Sequence, residues 1–172
     1  VDGDPMFYYS LTRDNGTHWE AIQLPGITPE QTLYNPVISG DGSIIIASVI
    51  DYTTGAFSDP AISRDGGVSW QRIPLPRIDP LGDEAFYIAK NNIDLFIRSW
   101  SESGGVQFYH LAPTSSLTPT NITPQDIEPS SSDWTVYTSG NGSTVILQAY
   151  DGTTYISRDK GVTFTTLSPQ AT

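Results

Sequence analysis

The chain has 172 residues, with eight Lys and Arg against nineteen Asp and Glu, a net charge of −11 and a pI near 4.2. That acidic balance argues against a nucleic-acid partner, which would need clustered Lys and Arg to meet phosphates. No stretch approaches the roughly 18 apolar residues of a membrane-spanning helix, and the lack of cysteine rules out a disulfide framework without ruling out secretion.

Fifteen glycines, thirteen prolines and no long apolar stripe of helical period predict an all-β chain. In chain order, Met6 to Arg13 and Thr17 to Gln23 form the first pair of predicted strands. A four-strand unit follows: Pro36 to Ser39, Ser43 to Ile50, Pro60 to Arg64 and Ser69 to Ile73. Its apolar run Ile44 to Ile50, broken only by Ser48, reads as a buried strand. The next unit comprises Ala85 to Ala89, Ile93 to Ser99, Val106 to Leu111 and a weak strand near Thr118 to Ile122. The last comprises Trp134 to Ser139, Ser143 to Tyr150, Thr154 to Arg158 and Val162 to Leu167.

One eight-residue pattern punctuates these strands three times: Thr12-Arg13-Asp14-Asn15-Gly16-Thr17-His18-Trp19, Ser63-Arg64-Asp65-Gly66-Gly67-Val68-Ser69-Trp70 and Ser157-Arg158-Asp159-Lys160-Gly161-Val162-Thr163-Phe164. The hydroxyl and the carboxylate can hold following backbone N–H groups, glycine supplies a positive φ, and the closing aromatic can wedge between neighbouring modules. From Asp14 to Asp65 is 65 − 14 = 51 residues and from Asp65 to Asp159 is 159 − 65 = 94, about twice a period of ~47, within the range of propeller repeats. Near the midpoint, Phe108 to Ser115 aligns with Phe7 to Asp14 as a decayed copy that has lost the Asp, Gly and Trp.

The pattern resembles the Asp-box, or BNR, repeat (Ser-x-Asp-x-Gly-x-Thr-Trp) of β-propellers in sialidases, xyloglucan-hydrolysing glycosidases, sortilin-type receptors and a photosystem II assembly factor. The resemblance implies an arc of about three and a half four-stranded antiparallel blades: residues 1–25 as the outer half of blade 1, 26–76 as blade 2, 77–123 as blade 3 and 124–172 as blade 4. It makes Thr12, Asp14, Gly16, Trp19, Ser63, Asp65, Gly67, Trp70, Ser157, Asp159, Gly161 and Phe164 structural. The sequence opens on Val1 without initiator Met or signal peptide, so it is expected to begin inside a longer or processed polypeptide, with the remaining blades supplied by that polypeptide or by another copy.

Function is expected at the end of the blades opposite the repeated turns, where the longer loops lie. Tyr34, Tyr52, Arg98, Trp100 and Trp134 are candidate binding residues there, since aromatic rings stack on sugars and an arginine pairs with anions. The same tryptophans also read as inter-blade packing, and the loop carboxylates as a solvated acidic surface. Glycoside hydrolysis would need two facing carboxylates; Asp51, Asp83 and Glu84 are the candidates, although Asp83 and Glu84 would point to opposite faces of a strand. A converging sialidase triad of arginines is not expected, because outside the repeated turns only Arg72, Arg77 and Arg98 remain and Arg72 falls on an outer strand, out of reach of the ring axis.

No cofactor is implied. Calcium is the one ion whose chemistry Asp51, Asp59, Asp79, Asp83 and Glu84 could serve, and the spacing of a calcium loop is missing. His18 and His110 fall on different blades. Asn15, Asn121 and Asn141 stand in glycosylation triplets. The chain is therefore expected to be a non-catalytic extracellular or surface scaffold that binds a glycan or a protein, with no transmembrane segment; the alternatives are a fragment of a secreted propeller glycosidase and a subunit of a filament, sheath or virion.

Overall fold

A computed structural model describes residues 10–22, 24, 28–76, 83–91, 93–101, 105–112, 117–127 and 133–167. Among them, β1 (Ser10–Leu11) and β2 (Glu20–Ala21) form a two-stranded sheet. Three four-stranded antiparallel sheets follow, each a meander in chain order. Blade 2 holds β3 (Gln31–Ile38), β4 (Ile45–Asp51), β5 (Phe57–Ser63) and β6 (Gln71–Arg72). Blade 3 holds β7 (Asp83–Ile88), β8 (Leu95–Ser101), β9 (Gly105–Leu111) and β10 (Thr120–Asn121). Blade 4 holds β11 (Trp134–Thr138), β12 (Val145–Ala149), β13 (Thr154–Ser157) and β14 (Thr165–Leu167). The first strands neighbour one another, β3 beside β7 and β7 beside β11, so they line the inner side of the arc.

Two strands of blade 2 begin earlier than expected, and both extensions pass through a bulge. β3 starts at Gln31 and shifts register between Tyr34 and Val37; β5 starts at Phe57 and shifts opposite Ser48. The residues released from regular pairing are Asn35-Pro36 and Asp59-Pro60, and Asn35 takes a positive φ of 48°. Proline cannot donate to a ladder, so a bulge lets the strand run through it. Tyr34 consequently sits within a strand and not on the loop assigned to it, and Asp59, Asp83, Glu84 and Trp100 likewise belong to strands.

All three repeated turns fold alike. In blade 2, Ser63 Oγ donates to Asp65 Oδ1 (2.8 Å) and accepts from Gly67 N (2.7 Å), while Asp65 accepts from the backbone of Val68 (3.1 Å) and from both N and Oγ of Ser69 (2.8 and 2.5 Å). Asp159 repeats this with Ser157, Gly161 and Thr163, and Asp14 with Thr12, Gly16 and His18. Hydrogen bonds to the ionised form, led by Ser69 and by Thr163, bring the Asp65 and Asp159 carboxyls down to about 2; those from His18 also lower Asp14. Each later turn rests on the first hairpin of its own blade, through Gly66 N to Ser43 O (2.9 Å) and Lys160 N to Ser143 O (3.0 Å). The two turn types therefore share one end of the arc.

Three apolar layers join the blades. Leu11 and Ile22 pack with Leu33, Ile45, Ala47, Val49 and Trp70 between blades 1 and 2. Ile46, Ile62 and Ile73 pack with Phe86, Leu95 and Ile97 between blades 2 and 3. Phe96, Phe108 and Ile122 meet Trp134, Val136, Val145 and Leu147 between blades 3 and 4. Pairing makes these faces equivalent: Ile46 opposes Ile62, Phe96 opposes His110 and Ile146 opposes Ile156. The face that each blade turns toward its successor thus reads Ile46, Ile62, Ile73 in blade 2, Phe96, His110, Ile122 in blade 3 and Ile146, Ile156, Leu167 in blade 4.

The turn glycines are pressed against the preceding blade. A Cβ at Gly161 would meet Ile122 Cδ1 at 2.6 Å, and one at Gly67 would meet Leu11 Cδ2 at 3.0 Å; both glycines have φ of +90°. Gly161→Ala therefore adds backbone strain to a steric clash and should cost about 2–4 kcal/mol in urea unfolding. Gly40→Ala, with ordinary φ and open space, should change stability by less than ~0.5 kcal/mol.

The depressed carboxyls also set a sign for acid behaviour. Their folded value, about 2, lies below the unfolded one, so their contribution is complete above pH ~5 and is lost as pH falls toward 2. Carboxyl NMR titrations of Asp65 and Asp159 should give midpoints near 2, and Ser69→Ala should raise the Asp65 midpoint while leaving that of Asp159 in place.

Candidate functional site

At the end away from the repeated turns, a cleft of about 550 Å³ is lined by Arg98, Asp133, Trp134, Thr135, Gln148, Ala149, Tyr150 and Gly152. Arg98 comes from β8 of blade 3, Trp134 opens β11, Gln148 and Ala149 end β12, and Tyr150 to Gly152 lie in the β12–β13 turn. That turn is tied down by Tyr150 N to Asp133 O (3.0 Å), Gly152 N to Ala149 O (3.1 Å) and Thr153 N to Asp151 Oδ1 (2.8 Å). The last bond is also the main reason that the Asp151 carboxyl lies below its ordinary range. Tyr150 is left 90% exposed at the rim, so its phenol is held by a fixed backbone yet faces solvent.

Arg98 and Trp134, singled out separately in the sequence, come together here. Arg98 is buried on the face of blade 3 that meets blade 4, at the position held by Ser48 in blade 2. Trp134 serves packing as well as the cleft: its ring lies 5.9 Å from Phe108, edge to face, and 6.0 Å from Tyr155, and its buried Nε1 has no hydrogen-bond partner among the described residues. Trp100 packs half-buried against the same apolar layer. Tyr34 and Tyr52 lie elsewhere, on blade 2; Tyr34 meets Phe57 edge to face at 5.6 Å, and Tyr52 is exposed after β4.

Of the candidate carboxylates, Asp51 and Glu84 have different partners. Asp51 Oδ1 accepts from Thr53 N (2.9 Å) and Thr54 N (3.0 Å), closing its own turn. Glu84 is buried on the opposite face of blade 3 from Arg98, where Ser48 Oγ donates to its Oε2 at 2.8 Å across the blade 2 interface. Asp83 lies on β7, and its side chain is outside the described residues, as is Asp79. Among the described residues no group of three or more His, Asp or Glu gathers as a metal site would require. Of the glycosylation candidates, the Asn121 and Asn141 side chains accept backbone hydrogen bonds from Thr123 and Ser143, and Asn15 sits at positive φ in its turn.

Sequence reading missed one titratable cluster, at the turn end. The Asp94 carboxylate is buried and receives His110 Nε2 (2.7 Å), Asn91 Nδ2 (2.9 Å) and Lys160 Nζ (2.9 Å), the last from blade 4. Burial opposes its charge, but Asn91, Lys160 and His110 together hold it below the ordinary carboxylate range. The available signal was positional: Asp94 and His110 stand where blade 2 has Ile44 and Ile62, on the one blade whose eight-residue turn has decayed.

The fold has counterparts among solved structures. A GH74 xyloglucanase from Xanthomonas campestris superposes with a TM-score of 0.60 at 14% identity, covering 94% of this chain and 27% of that one. YCF48 bound to D1 peptide gives 0.53 at 18% identity, covering 96% of this chain and 48% of that one. The fold is that of a β-propeller. The chain spans less than half the length of either structure, and identities this low establish the fold alone. No family model and no curated protein matches the sequence. Among the described residues, no helix is long and apolar enough to cross a membrane.

Within this propeller arc the Asp94 cluster has a testable energetic role. Removing one member of a buried charged set strands the others, so Asp94→Ala should cost about 3–5 kcal/mol in urea unfolding. Lys160→Met, at a side chain that remains 44% exposed, should cost no more than ~1 kcal/mol.

Proposed function

We propose that this chain is an Asp-box propeller segment of an extracellular or surface protein, acting as a non-catalytic scaffold that binds a glycan or a protein at the loop-rich end of blades 3 and 4. The cleft at Arg98 and Trp134 carries the reading. It brings a guanidinium, an indole, the Gln148 amide, the Asp133 carboxylate and the exposed Tyr150 phenol to one opening, a mixture suited to hydroxyls, amides and anionic groups with one ring face for stacking.

The positions of the catalytic candidates favour binding over hydrolysis. Asp51 is committed to its own turn and Glu84 to Ser48, on a different blade interface from the cleft. The propeller neighbours include a glycosidase and a protein bound to a peptide, so the fold accommodates both activities and the local chemistry must decide. A propeller glycosidase remains the second reading, supported by the acidic loops; a filament, sheath or virion subunit is the third.

The test is an array of glycans and peptides probed with the complete protein, beside a glycoside hydrolysis panel. Binding without cleavage is expected, and Tyr150→Ala or Gln148→Ala should weaken it roughly tenfold, as removal of one good contact does. Hydrolysis that disappears in Asp51→Asn, Asp83→Asn or Glu84→Gln would overturn the scaffold reading.

A further inference from the structure

The closing aromatic of a repeated turn has a second duty besides packing. Trp19 Nε1 donates to Gly16 O at 3.1 Å and Trp70 Nε1 to Gly67 O at 3.2 Å, so each indole caps the carbonyl of its own turn glycine. In blade 4 the closing residue is Phe164, which has no N–H to give. The turn around it is otherwise unchanged. Gly161 has a φ of 90°, against 89° and 90° for Gly16 and Gly67, and its N donates to the turn hydroxyl at 2.7 Å as that of Gly67 does. Gly161 O therefore faces the closing ring as its counterparts do, yet it accepts no hydrogen bond from any described residue. Gly161 is buried, and a buried carbonyl without a donor is costly.

A cavity of about 600 Å³ opens at this place, within the size range of small-molecule sites. Two consecutive blades, both within the chain, frame it. One wall is the segment 120–126; the other is Lys160, Gly161, Val162 and Phe164, and His110 lines it as well. The first wall is fixed by its own hydrogen bonds: Thr123 Oγ1 accepts from Phe108 N at 2.9 Å, Thr123 N donates to Asn121 Oδ1 at 2.8 Å, and Ile127 N donates to Pro124 O at 3.3 Å.

The charges around the cavity are not equally free. Lys160 Nζ and His110 Nε2 are both committed to the Asp94 carboxylate. Asp126 accepts from Tyr155 Oη at 3.3 Å through its backbone carbonyl, while its exposed carboxylate has no partner among the described residues. The open charge is thus negative, in a chain of net charge −11, and it selects for a cation.

We propose that this cavity binds a cationic aromatic ligand that carries a ring N–H. The N–H donates to Gly161 O in place of the missing indole, the ring lies against Phe164 and Val162, and the ammonium pairs with Asp126. The ligand supplies from outside the cap that Trp19 and Trp70 supply within their own turns. This site is separate from the cleft at Arg98 and Trp134, and the binding test there can fail without affecting it.

Tryptamine is the probe, titrated into the protein by calorimetry and located by the NMR shifts of the Gly161 and Val162 amides. A Kd of ~1 mM or tighter is expected for a ligand of this size. The analogue methylated on the indole nitrogen, which lacks the ring N–H, should bind roughly tenfold more weakly, the loss of one buried hydrogen bond. Asp126→Asn should weaken tryptamine about threefold, as removal of an exposed ion pair does. Phe164→Trp restores the donor within the turn, at a position where Trp70 shows that the turn accepts an indole; it should keep the strand circular dichroism signal and weaken tryptamine by roughly tenfold or more. No binding at ~10 mM tryptamine, equal affinity for the methylated analogue, or binding that leaves the Gly161 and Val162 amides unmoved overturns the proposal, and these outcomes are read on the wild-type chain whether or not Phe164→Trp folds.

Discussion

A carboxylate that gathers the backbone of its own turn is the interaction on which the arrangement of blades depends. Asp65 and Asp159 each spend both oxygens on groups four residues ahead, and the hydroxyl two residues behind binds the carboxylate while accepting from the turn glycine. So saturated a turn has one shape. It can then serve as a rigid foot that presses on the preceding blade, with glycine as the sole of that foot because a Cβ would strike Ile122 or Leu11. A local hydrogen-bond network thereby fixes a long-range distance, and the apolar layers pack at the spacing it sets.

Where blade 3 meets blade 4, a second set of contacts stands beside the intact foot of blade 4. The inter-blade face keeps Phe96 and Ile122, but Asp94 and His110 occupy places taken by isoleucine in blade 2, and Lys160 reaches over from the intact turn of blade 4. Asn91 adds a second bridge, from its Nδ2 to Asn141 O at 3.1 Å. Polar and ionic contacts here add to the positioning that Ser157, Asp159 and Gly161 of blade 4 already give this interface. Buried charge is a costly way to fix a register, and it is tolerated because every oxygen of Asp94 finds a donor.

The fold was largely legible because its information is local and periodic. The turn residues, their spacing and the short alternating strands each follow from chemistry within ten positions of one another. The bulges were not legible. Pro36 and Pro60 look like strand boundaries, and only pairing with β4 reveals that the strands continue past them, which moved Tyr34 and Asp59 out of their expected loops. The site was half legible: Arg98 and Trp134 stand out by residue type, but their convergence depends on packing between blades 3 and 4. Asp94 passed unnoticed because nothing near it in the chain explains an acidic residue at an interior position. Apart from Asn91, three residues before it, its partners lie 16 and 66 residues away.

The interface that holds the Asp94 cluster also carries the cleft. Down the face of blade 3, Asp94 and His110 lie at the turn end and Arg98 toward the loop end, where blade 2 has Ile44, Ile62 and Ser48. An interface made only of isoleucine closes completely, since branched aliphatic chains interdigitate without leaving polar groups to solvate. The buried Nε1 of Trp134 has no hydrogen-bond partner among the described residues, and the cleft opens beside its ring. At the turn end Asp94 closes the polar line internally. At the loop end the line runs out to Asp133, Gln148 and Tyr150, which line the cleft at the surface.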